Sequence, residues 1–157
     1  MSVGSLVNHE VIADHALLLS EAADVLLDMA LSPSNRVQDL EDIESIQAEA
    51  ASFPAEPGLA GLIDAMFADV VALGQGLAAQ TDPLPPSMVS ECRAVMQIAN
   101  TLSAALENGG DARHTMSINR CAIALQPDVH PGVDLEAAAR SGATAIHAMR
   151  GRWAVTE

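Results

Sequence analysis

The chain contains no lysine and no tyrosine, and its aromatic side chains other than histidine are Phe53, Phe67 and Trp153. A strand-rich fold ordinarily draws on aromatic and β-branched residues, so this shortage disfavours one. The core must instead come from Ala, Leu, Val, Ile and Met, a mixture suited to helices and close helix–helix contact. Cys92 and Cys121 stand alone in apolar surroundings, and no CxxC pair or Cys/His cluster offers a structural zinc site. Two buried thiols are expected, with a single disulfide as the alternative. The N-terminus lacks the basic region and unbroken apolar core of a signal peptide. Charged residues interrupt the apolar runs before the length of a membrane span, so the expectation is a cytoplasmic protein with no membrane contact. A nucleophile elbow, a phosphate-binding glycine loop and a zinc-deaminase pattern are also absent from the sequence.

What is abundant is negative charge. Twenty-one acids face seven arginines, a net −14 over 157 residues. Residues 1–112 hold 17 acids against Arg36 and Arg93, whereas residues 113–157 hold four acids and five arginines. Such a field repels nucleic acid and anionic lipid, and it favours a basic partner, metal cations or plain solubility. Direct nucleic-acid binding is disfavoured on this ground. A solvated acidic surface and adaptation to a salty habitat account for the same charge without any partner.

Periodicity predicts helices over about 9–31, 34–51, 58–80, 88–107 and 135–150. The first carries a stripe of Val11, His15, Leu18, Ala22, Val25 and Met29, with Asn8 as cap and Ser32-Pro33 as stop. The second uses Val37, Leu40, Ile43 and Ile46 less regularly. The third, with Leu59, Leu62, Met66, Val70, Leu73 and Leu77, has the clearest pattern. Ser87 is the expected cap of the fourth, and Asn108-Gly109-Gly110 its stop. Residues 111–126 alternate locally like a strand, but Ile118, Cys121, Ala122 and Leu125 also share a helical face. An isolated strand would have no pairing partner, so a helix is preferred. The predicted architecture is all-α: a single-domain bundle of five or six mostly antiparallel helices over residues 1–157, with flexible ends at 1–7 and 153–157.

Candidate chemistry is sparse. In NHEVIADHALLL, residues 8–19, Glu10 and Asp14 share one helical face, and a metal held by Glu10, Asp14 and His15 is the weaker alternative to a solvated acidic face. The spacing is neither HExxH nor the repeated Glu-x-x-His of a helical di-iron site. His15 falls inside the apolar stripe and reads first as a hydrogen-bonded core histidine. His15 with Glu10 and Asp14, or His114, Arg120 and His130 if the fold brings them together, are the candidates for catalytic anion or proton chemistry. Arg150 and Arg152 suit the negative end of the last helix, and with Trp153 they form a candidate contact for a second subunit. Asp39 and Asp42 are the matching candidates on the acidic side.

Two functions follow as expectations. The first is a non-catalytic interaction or regulatory domain acting through its acidic surface or by self-association, with another protein or a homodimer as partner. The alternative is a small helical enzyme or ligand-binding protein with a histidine/carboxylate pocket between helices. No residue pattern specifies a cofactor.

Overall fold

The computed structural model describes the backbone of residues 3–52 and 58–155, and the side chains of residues 11–52 and 58–153. Among the described residues six α-helices follow one another: α1 (Val3–Leu31), α2 (Arg36–Ala50), α3 (Leu59–Ala78), α4 (Pro86–Asn108), α5 (Ala112–Leu125) and α6 (Leu135–Val155), with a 3-10 turn at Pro33–Asn35 between the first two. The expected all-α bundle is what forms, and no strand occurs among the described residues.

Most ends obey local chemistry. Ser32-Pro33 closes α1, since proline supplies no N–H and pushes its predecessor out of the helical region. Gly109, at φ 86°, adopts the left-handed conformation that ends α4. Asp111 opens α5 through a capping box: its carboxylate accepts from the Arg113 and His114 amides, and the His114 ring accepts from the Asp111 amide at 3.1 Å. That reciprocal cap decides the helix-or-strand question for residues 111–126. Two expected caps lie elsewhere. Asn8 sits inside α1, which starts at Val3, and Ser87 follows Pro86, whose missing N–H costs nothing in the first turn.

The helices divide into two triplets, α1–α3 and α4–α6, each of which closes on itself through contacts among all three members. The long helices α1, α3, α6 and α4 form a four-membered ring, in which α1 packs against α3 and α4, and α6 against the same two. Helix α2 covers the α1–α3 side and α5 covers the α4–α6 side, so these two short helices lie on opposite edges. Leu19, Leu26, Met29, Ile63, Met66, Leu77, Ile98, Leu102 and Ile146 fill the ring, Ile118 of α5 joins the same core, and all are fully buried. Each such side chain contributes about 1.5–3 kcal/mol relative to exposure.

By length and composition α3 is apolar enough to cross a membrane, although Asp64 and Asp69 interrupt its apolar run as expected. Half of that stretch is buried in the bundle, against α1, α2 and α6. Its two carboxylates pin it sideways: Asp64 lies 2.9 Å from His15 of α1, and Asp69 lies 2.9 Å from Arg150 and 3.2 Å from His147, both on α6. Gly74 lets α3 approach α2 and α1, since a Cβ there would stand 3.3 Å from Ile43 and 3.6 Å from Met29.

Helix α2 departs from its expected phase. Val37 is 66% exposed, and the buried face is Arg36, Ile43 and Ala50 with Leu40 packed alongside. An arginine therefore takes the place that apolarity alone would give to valine. Its Nε donates to the Met29 carbonyl at 2.9 Å, and its Nη1 donates to the carbonyls of Gln80 and Asp82 at 3.0 and 2.9 Å. Met29 belongs to the last turn of α1, and Gln80 follows the end of α3, so the guanidinium sits where two negative helix ends meet. One cation thereby joins α1, α2 and the linker to the second triplet.

Candidate functional site

The loop between α5 and α6 is held by three side chains, one from α5 and two from α6. Asn119 of α5 clamps Gly132 with its side-chain amide, accepting from the Gly132 N–H at 2.8 Å and donating to its carbonyl at 2.9 Å. Ser141 of α6 donates to the His130 carbonyl. Arg152 donates to the Leu125 carbonyl at 3.0 Å and to the Gln126 side chain at 2.7 Å. Gly132 itself lies hard against α6. A Cβ on it would fall 2.1 Å from the Ala138 nitrogen and 2.2 Å from the Ala137 carbonyl carbon, so the position excludes any side chain.

Between this loop and the facing side of α6 lies a cavity of about 520 Å³. Gln126, Asp128, Val129, His130, Pro131 and Gly132 form the loop wall, and Ala137, Arg140, Ser141, Thr144 and Ala148 form the helix wall. Such a volume falls within the range of small-molecule sites, and a wall held by hydrogen bonds is formed before anything binds. A second, shallower cavity of about 400 Å³ lies between α4 and α5, lined by Asn100, Thr101, Ala104, Arg113, His114 and Ser117.

The candidate residues do not converge. His130 lines the first cavity and His114 the second, while Arg120 is exposed on α5 and lines neither. The His114 ring is occupied as a helix cap. His15 is buried as expected, stacked on Phe67 with centroids 5.8 Å apart and facing Asp64. Burial lowers its pKa although the Asp64 charge and hydrogen bond pull the other way. Asp14 is exposed on the other side of α1, and the Glu10 side chain lies outside the described residues. No group of three metal-ligating side chains occurs among the described residues.

The lowered His15 pKa has a testable sign. Between the folded value and the usual 6.5, the unfolded chain binds more protons, so stability rises with pH through that window and is lost as pH falls below it. Denaturant midpoints measured from about pH 7 to pH 5 are expected to fall in the native protein. In His15→Gln the same series is expected to be flatter.

The C-terminal candidates are already engaged within the chain. Arg150 holds the buried Asp69, Arg152 reaches Glu91 at 2.7 Å, and the Trp153 Nε1–H donates to Glu91 at 3.3 Å. Asp42 is exposed and Asp39 half-buried. Burial raises the pKa of Asp39, helped by the neighbouring charges of Asp28 and Asp42, a sign of crowded negative charge on the α1–α2 surface. Both cysteines are free; burial pushes the Cys92 thiol up to about 12 and also raises Cys121, against the pull of Arg120. Neither is a poised nucleophile.

Sequence reasoning missed Arg36, Asp69 and the Asn119–Gly132 clamp. The first two left a trace, since each is a charge standing in phase with an apolar stripe. The clamp joins positions 13 apart through a side chain mimicking backbone, and no periodicity marks it. No family model, curated protein or solved structure matches this chain.

Proposed function

We propose that this chain is a non-catalytic interaction domain that associates with further copies of itself, the acidic face of α2 on one copy meeting the cationic face of α5 on the next. The observation that carries this reading is the placement of opposite charges on opposite edges of the bundle. The outward face of α5 exposes Arg113, Met116, Arg120 and Ile123 at helical spacing, with Met116 58% exposed. The outward face of α2 exposes Val37, Glu41, Asp42 and Glu44, next to an exposed Leu31 at the end of α1. Charge divides at the linker between triplets: residues 1–81 hold thirteen acids and Arg36 alone, whereas residues 82–157 hold eight acids and six arginines.

Complementary charge with apolar residues among it is the composition of a steered, weakly held interface. Because the faces point apart, the contact is heterologous, and it builds short chains of copies rather than a two-fold pair. Arg150, Arg152 and Trp153 support the arrangement from within, by fixing α6 to α3 and α4. The association is expected in sedimentation velocity at about 20 mM salt, growing with protein concentration and disappearing at about 500 mM. A monomer at every concentration and salt would end this reading.

A further inference from the structure

We propose that the cavity between the α5–α6 loop and α6 is a binding site for a small organic acid with an apolar body, its carboxylate held by Arg140. The site is independent of the association between copies, since its walls face each other within one triplet. Four observations lead to it.

The walls are mostly apolar, from Val129, Pro131, Ala137 and Ala148, so an aliphatic or ring-shaped body fits better than a sugar or a free phosphate. The loop wall is fixed by the Asn119–Gly132 clamp and the Ser141–His130 bond, so binding costs little ordering of the protein. Arg140 is free to turn: it is 62% exposed, and its pairing with Glu136, one turn earlier, is long at 3.5 Å. A guanidinium is weakly hydrated and offers two parallel donors, which suits a carboxylate at the edge of an apolar surface.

Charge selects the sign of the ligand. His130 and Thr144 add nitrogen- and oxygen-borne donors to the same cavity, against one carboxylate, the exposed Asp128. The cavity also lies in the half of the molecule where acids and arginines nearly balance, whereas the first 81 residues would repel an anion.

The test uses the full-length protein and three eight-carbon probes with different head groups: octanoate, octanol and octylamine. Each is titrated by calorimetry and by amide-proton chemical shifts. The expected result is saturable 1:1 binding of octanoate, shifts centred on residues 126–148, and weaker binding of octanol. Arg140→Gln is expected to weaken octanoate at least about tenfold, a loss in the range of a charge-assisted hydrogen bond, and to leave octanol unchanged. Thr144→Trp, a surface change that fills the cavity without touching the core, is expected to abolish both. Tighter binding of octylamine than of octanoate would overturn the proposal, because Asp128 would then set the preference. So would the absence of saturable octanoate binding, or octanoate binding that survives Thr144→Trp in a folded protein.

Discussion

Replacing Arg36 with methionine is expected to cost about 3–5 kcal/mol of folding free energy, the largest effect of any single substitution considered. Methionine keeps the apolar stem of the side chain and removes its guanidinium end, so the loss is chiefly that of the guanidinium. Three carbonyls, those of Met29, Gln80 and Asp82, lose their donor together. Each buried acceptor left without a partner costs about 1–3 kcal/mol, reduced where the 79–85 linker can open to water. The cation is also matched electrostatically by the negative ends of α1 and α3. Its own burial is expensive, as Arg36 is 2% exposed and Nη2 has no hydrogen-bond partner among the described residues. The net gain from Arg36 is therefore expected to be smaller than three full hydrogen bonds. Lysine is expected to recover less than half of the loss, because a single ammonium does not reproduce the fork that reaches Met29 on one side and Gln80 and Asp82 on the other. Urea denaturation of the three proteins gives the comparison, and hydrogen exchange in residues 79–85 is expected to accelerate first.

Gly132→Ala is expected to destabilise by about 2–4 kcal/mol, although it adds a single methyl group. The colliding atoms, at 2.1 and 2.2 Å, belong to the α6 backbone, which does not step aside as a flexible side chain would. The loop must lift instead, and with it go both hydrogen bonds to Asn119. The matched control is Gly76→Ala in α3, where nothing lies within 4 Å of the added carbon. There the methyl removes backbone freedom from the unfolded chain, and a gain of about 0.5–1 kcal/mol is expected. Opposite signs from the same chemical change would place the strain in the loop–helix contact. Equal effects at the two positions would show that the loop yields freely.

These two residues mark what the sequence could and could not reveal. The helices were legible because Leu, Met and Ala recur at three and four, and because Ser32-Pro33, Asn108-Gly109-Gly110 and the residues around Pro127 interrupt that rhythm. The inward turn of His15 was legible for the same reason, though its partner Asp64, 49 positions away, was not. Helix α2 was misphased because apolarity ranks Val37 above Arg36, whereas the fold needed a donor for three converging carbonyls. That need exists only once the ends of α1 and α3 are brought together. The cavity was invisible for a similar reason: His130 could be singled out, but Arg140 and Thr144 face it only after Gly132 seats the loop on α6. The charge imbalance was legible as a number. Its arrangement on opposite edges required knowing which helices cover which side of the four-helix ring.

The central claim is that oppositely charged edges of this molecule recognise each other between copies, and a mixing experiment tests it most directly. One variant, Arg113→Glu with Arg120→Glu, carries negative charge on both the α2 and α5 faces. A second, with Glu41, Asp42 and Glu44 each changed to Arg, carries positive charge on both. Sedimentation velocity at low salt is expected to show each variant monomeric by itself and the equimolar mixture associated, with association lost when salt is raised. Association of either variant alone, or a mixture that stays monomeric while the native protein associates, would contradict it.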